Sequence, residues 1–165
     1  MNTALTYKGV VTLTTKTRTA VAKNNGTRNL FKLLATVLCR ETYQTRSLPT
    51  YLMLYDKDVE SIIDDPYTNA HSANRLLRNY VDIVSQSSND QTVTSTITST
   101  IDCAMLLKKL TPEQATNVSL CLISGDKKDI LAVIQFDPQT YAIVSNGGQT
   151  FVKWDLSISN NESEV

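Results

Sequence analysis

The chain has 165 residues with a formal net charge of zero, 41% hydrophobic and 19% charged residues, a balance that suits one globular domain rather than a disordered chain. A chain this long buries about 69% of its unfolded surface and can hold a core without disulfides or structural metal. No apolar run reaches the length of a membrane-spanning helix, and MNTALTYKGVV lacks the basic and apolar regions of a secretory leader. Thr, Ser and Asn number 22, 14 and 12, and threonine favours the pleated, half-buried surface of a sheet.

Charge is badly mixed along the chain. Residues 1–50 hold eight bases and one acid, a balance of +7, and the remainder carries −7. Such asymmetry points to a partner surface of opposite sign, to mutual neutralisation within the fold, or, ranked lower, to a nucleic-acid contact.

Leu5 to Ala22 alternates. Leu5, Tyr7, Val11 and Leu13 share one face, and Lys8, Thr12, Thr14 and Lys16 the other, the two-residue period of a half-buried strand. Eighteen residues exceed one ordinary strand, so a bend is expected near Thr15–Thr17. Asn24-Asn25-Gly26 is expected to end the second strand. Thr27 is placed to cap a buried helix over 28–39, in which Leu30, Phe31, Leu34, Val37 and Leu38 recur at helical spacing.

Pro49 opens a short, continuously apolar strand, Tyr51 to Tyr55, followed by a loop from Asp56 to Pro66. Ala73, Leu76, Leu77, Tyr80, Val81 and Val84 fit a second helix within 69–85, although YVDIV also fits a strand. Residues 86–91 form a polar connector, and residues 91–102, QTVTSTITSTID, form a strand with a wet face. Thr111-Pro112-Glu113-Gln114 has the pattern of a capping box. Strands are expected at 118–124, 130–136 and 141–145, with Asp137-Pro138 turning between the last two. Asn146-Gly147-Gly148 turns into a final strand over 149–159, and the tail beyond it, 160–165, is expected to fray. The sum is a mainly β (α+β) single domain over 1–159. Its architecture is an antiparallel sandwich of seven or eight strands with one buried helix and room for a second.

Chemistry is thinly signalled. His71 is the one histidine, with no nucleophile motif beside it. Cys39, Cys103 and Cys121 lie far apart in apolar contexts without CxxC spacing, as buried free thiols do. Asp56, Asp58 and Glu60 occupy the first three ligand positions of a calcium loop. Ser61 and Tyr67 replace its diagnostic Gly and Glu, so a solvated acidic loop is expected. Lys8, Lys16 and Arg18 project outward, and basic side chains that guard an exposed sheet edge explain them better than phosphate contacts do. Trp154 shares a face with Val152, Leu156 and Ile158 and is expected in the core. Exposed beside Tyr141 and Phe151, it would instead suggest a carbohydrate- or receptor-binding module.

The opening Tyr7-Lys8-Gly9 strand, Asn24-Asn25-Gly26-Thr27 leading into Leu30-Phe31, and the closing Gly148-Gln149-Thr150-Phe151-Val152-Lys153-Trp154-Asp155-Leu156 strand resemble small β-sandwich structural proteins of tailed bacteriophages. These are head-decoration, neck-ring or tail-associated proteins, and the resemblance covers a third of the chain. It implies a non-enzymatic subunit without cofactor or metal, assembled in the host cytoplasm into the virion. Its partners would be copies of itself and neighbouring capsid, portal, neck or tail proteins, with no membrane contact. Candidate interface residues are Lys8, Lys16, Arg18, Lys23, Arg28, Asp56, Asp58 and Glu60. Should the +7 and −7 segments form separate faces, a head-to-tail contact between them would close into a ring.

Overall fold

The structure is a computed structural model that describes residues 3–38, 48–56, 58, 75–89, 91–125 and 129–162. Nine strands are present among them: β1 (Thr3–Thr14), β2 (Thr19–Gly26), β3 (Pro49–Tyr55), β4 (Arg75–Tyr80), β5 (Ile83–Ser88), β6 (Thr92–Asp102), β7 (Ser119–Ser124), β8 (Ile130–Gln135) and β9 (Gln149–Glu162). Four helices join them: α1 (Arg28–Leu38), α2 (Ala104–Lys108), α3 (Pro112–Ala115) and α4 (Pro138–Asn146).

The strands form two antiparallel sheets, as the expected sandwich-like α+β class requires. In one, here called the first sheet, the order is β2-β1-β9-β6-β5; in the second it is β8-β7-β3-β4. Both lateral borders are bridged. The last residues of β2 leave β1 and pair with β8, Asn25 opposite Val133 and Gly26 opposite Ala132. At the other border β4 runs into β5 through Val81 and Asp82. The Val81 amide bonds to Thr50 in β3, and the Asp82 amide to Thr98 in β6.

The principal core fills the space between the sheets. Val11 and Leu13 from β1, Ile97 and Ile101 from β6, and Val152 and Trp154 from β9 meet Leu52, Leu54, Leu120, Leu122, Ala132 and Ile134 from the second sheet. Alternate residues of the same second-sheet strands, Tyr51, Met53, Tyr55, Cys121, Ile123 and Val133, form another buried cluster with Ile130, which a register shift in the β7–β8 ladder places opposite Ile123. By the alternation of side chains along a strand, this cluster lies on the opposite face of that sheet. The uninterrupted apolar runs of β3, β7 and β8 therefore reflect strands buried on both sides.

A buried polar network fixes the register of the first sheet. The Asn24 amide is oriented by its partners: its oxygen accepts from Trp154 Nε1 at 2.7 Å and from the Val10 amide at 3.3 Å, while its nitrogen donates to Tyr7 Oη at 2.7 Å. Glycine is required opposite it, since a Cβ at Gly9 would lie 2.0 Å from the Asn24 side chain. Three strands are thereby pinned together, because β1 pairs with both β2 and β9.

Several expectations are corrected. The helix expected within 69–85 is β4 and β5 from Arg75 onward; residues 69–74 lie outside the described residues. Ladder pairing with β3 and β6 overrides the weak helical periodicity, and YVDIV is not one strand either: it spans the junction, with Val81 and Asp82 between β4 and β5. The strand expected at 141–145 is α4. Asp137 and Pro138 start this helix rather than a turn, the Asp137 carboxylate accepting from the Thr140 amide at 2.6 Å. Over residues 28–34, whose side chains are described, the helix α1 is only partly buried: Leu30 is inside, but Phe31 is 47% exposed. Its preceding Thr27 does not cap it through the side chain. The Thr27 hydroxyl instead donates to the Ile130 and Leu131 carbonyls of β8. Asn24-Asn25-Gly26 belongs to β2 and carries it between the sheets, and residues 160–162 extend β9 against β1 rather than fraying. The capping box of α3 forms as expected, Thr111 and Gln114 bonding reciprocally, and Gly148 supplies the positive φ of 68° that turns the chain into β9.

Candidate interaction surface

The outward side of the first sheet follows from the two-residue period of its strands. Odd residues of β1 and even residues of β9 point into the core, so Thr6, Lys8, Val10, Thr12 and Thr14 point out beside Phe151, Lys153, Asp155, Ser157 and Ser159. The strand β6 contributes Thr92, Thr94, Thr96, Thr98 and Thr100, each opposite one of those β9 residues. Thr19, Val21 and Lys23 of β2 and Ser85 and Ser87 of β5 complete the surface. At the spacings of a pleated sheet, about 6.7 Å along a strand and about 4.8 Å between strands, this is a regular lattice of short hydroxyl side chains.

Hydrogen bonds run across the lattice. The hydroxyls of Thr92 and Ser159 share one of 2.9 Å, those of Thr94 and Ser157 one of 2.8 Å, and Thr96 donates to the Asp155 carboxylate at 2.6 Å. Asp155 also meets Lys153 Nζ at 3.2 Å. Two large apolar side chains stand proud of this polar surface, Val21 (66% exposed) and Phe151 (46% exposed). Val21 faces Thr12 and Phe151 faces Thr14, with Thr12 and Thr14 adjacent on the outward face of β1.

The candidate interface residues fall into separate places. Lys8 and Lys23 are exposed on this surface, diagonal to one another across β1 and β2. Lys16 and Arg18 are exposed in the turn at the far end of that hairpin, where Thr15 and Arg18 bond to each other. Arg28 is exposed at the start of α1. None of these guards a sheet edge from β1, since β1 lies between β2 and β9. Asp56 and Asp58 follow β3 in the second sheet, and Glu60 lies outside the described residues. The Gln114 side chain donates to Asp56 at 3.4 Å.

Among the described residues the charge halves do not form separate faces. The strand β1 of the basic segment, with Lys8, is bonded along its length to β9 of the acidic segment, with Lys153 and Asp155, and the two share one surface. That removes the two-faced arrangement on which the head-to-tail ring was reasoned. Pairing strands distant in sequence mixes charges that the linear order keeps apart.

Trp154 is fully buried, so it offers no stacking platform for a sugar. Burial pushes the Cys103 thiol up to about 12, helped by the charge of Asp102, and pushes Cys121 upward as well. A nucleophilic cysteine needs the opposite shift. His71 and Cys39 lie outside the described residues, and among the described residues no group of three His, Cys, Asp or Glu could hold a metal. A groove of about 500 Å³ lies between α3 and α4, lined by Ala115, Thr116, Phe136, Pro138 and Tyr141. The Tyr141 hydroxyl bonds to the Leu107 carbonyl and is committed to joining α4 to α2.

The wet face of β6 was legible in its Thr alternation, but the sheet-wide lattice was not. Its rows are made by β1, β9 and β6, which are far apart in the chain, and only their registers line them up. No protein-family model, curated protein or solved structure matches the chain.

Proposed function

We propose that this chain is a non-enzymatic structural subunit of a tailed-phage virion. It assembles through contacts with itself and with neighbouring capsid, portal, neck or tail proteins. The observation that carries this reading is the outward side of the first sheet. A broad lattice of short hydroxyls bearing Val21 and Phe151 provides extended contact area, and specific protein interfaces combine a few apolar anchors with a polar surround. Buried thiols held protonated and a tyrosine hydroxyl tied to a backbone carbonyl fit a scaffold better than a reaction centre.

Mass spectrometry of purified phage particles tests the reading. The chain is expected in a constant ratio to the other structural proteins through successive gradients. Its loss on purification, or a ratio that drifts between preparations, would overturn the virion role. A Val21→Glu, Phe151→Glu double variant is expected to lower its incorporation without changing the unfolding midpoint of the free protein.

A further inference from the structure

We infer that β5 is a self-pairing edge, through which two copies of this chain join their first sheets into one continuous antiparallel sheet. The inference rests on the self-assembly part of the proposed function and names the backbone that performs it. The strand β5 pairs with β6 in six unbroken steps, from Ile83 opposite Thr98 to Ser88 opposite Val93, and its other edge meets no strand among the described residues. Ser85 through Asn89 are all exposed, side chains from both faces included. Val93, opposite Ser88 on β6, is 42% exposed as well, so this hairpin stands clear of the core.

Which backbone groups are unpaired follows from the ladder. The Asn89 amide donates to the Thr92 carbonyl at 2.9 Å. Antiparallel pairing alternates, so the odd residues of β5 direct N–H and C=O towards β6, and Val84, Gln86 and Ser88 direct theirs outward. Exposed edges are ordinarily blunted by charge, proline or a bulge. The sequence Ile-Val-Ser-Gln-Ser-Ser has no charge and no proline, and its register has no bulge. By contrast β4, at the end of the second sheet, contains Arg75 and Arg78, and it is itself bulged, Leu76 lying unpaired between the partners of Leu54 and Tyr55 in β3.

The occupant is a second copy because the edge is self-complementary. In an antiparallel twofold pairing, the outward groups of Val84, Gln86 and Ser88 meet the same groups of the partner, as an isologous interface demands. No like charges oppose each other within the uncharged strand. The pairing would continue the hydroxyl lattice through Ser85 and Ser87 from one copy into the next.

The test is sedimentation of the purified full chain across a concentration series at low and high salt, beside Gln86→Pro and Gln86→Lys. Proline at 86 removes an outward N–H and leaves the β6 ladder whole. Lysine keeps the backbone and adds the missing edge charge. The expected result is a wild-type dimer, little altered by salt, with both variants at half its mass and an unchanged unfolding midpoint. Should the proline variant unfold, the lysine variant decides alone. A wild-type oligomer that both variants preserve would place the contact elsewhere and overturn the inference. A wild-type monomer at every concentration would overturn it too, and in either case particle mass spectrometry still decides the virion role separately.

Discussion

The two sheets differ most on their outward sides. In the first sheet, the side away from the core carries Thr, Ser, Lys and Asp around Val21 and Phe151. In the second, the corresponding positions are Tyr51, Met53, Tyr55, Cys121, Ile123 and Val133, all buried. One sheet is therefore half core and half surface, and the other is core on both sides along β3, β7 and β8, with Arg78 and Tyr80 of β4 exposed on its outward side. Stability should concentrate in the second sheet and tolerance to change on the open side of the first, which leaves that side available for contacts.

The largest effect is expected where the sheets meet. Trp154→Ala empties a fully buried site and removes the indole donor from Asn24, at a cost of about 3–5 kcal/mol, readable by denaturant unfolding. The comparison itself is sharpened by paired substitutions. Ile123→Ala, on the second sheet's outward side, should cost about 2–5 kcal/mol. Thr98→Ala, on the open side of the first, should change stability by no more than about 0.5 kcal/mol. Equal costs would break the distinction between the sheets.

Gly9→Ala comes next, because its methyl group would collide with the Asn24 amide. Overpacking of this kind costs about 1–3 kcal/mol. The tryptophan fluorescence should shift as well, since Asn24 contacts Trp154.

Alkaline pH gives a smaller, distributed effect. Burial raises Cys103 to about 12, Cys121 upward and Tyr7 to about 12. The unfolded chain loses these protons first, thiols near about 8.5 and tyrosine near about 10. Their contribution is present below those values and is lost as pH rises through them towards the folded values. The unfolding midpoint should fall steadily above about pH 8.5, and a flat profile would mean that these groups are not buried.

Apart from the near-neutral Thr98→Ala, the smallest effect concerns Asp137. The Thr140 amide and hydroxyl hold its carboxylate below the usual range. Its stabilisation is present above the unfolded value of about 3.9 and is lost as pH falls through the depressed folded value. Asp137→Ala should cost about 1 kcal/mol at neutral pH as a lost helix cap, with that cost shrinking in acid.

What could be read from the residues was whatever has a local physical cause. Alternation placed β1, β6 and β9 and the inward side of Trp154, because side chains on a strand alternate whatever they pack against. The continuous apolar run of Tyr51–Tyr55 marked a buried strand, and Thr111 and Gln114 marked a capping box. Asp137-Pro138 and the segment from Arg75 to Ser88 were misread. Each carries two compatible local signals, and only packing chooses between them: α4 is held against α2 through Tyr141, and β4 and β5 by the ladders of β3 and β6.

The sequence by itself determined a mainly β chain with a threonine-rich wet side, buried thiols and a linear separation of charge. Tertiary structure decided everything that depends on which strands become neighbours. It placed β1 of the basic segment beside β9 of the acidic one, aligned the hydroxyls of β1, β9 and β6 into one lattice, and left β5 with a single partner among the described residues. The reason is that a strand's side-chain alternation is local, whereas its hydrogen-bonding edges are satisfied by residues a hundred or more positions away. Leu13 opposite Val152 is such a pair.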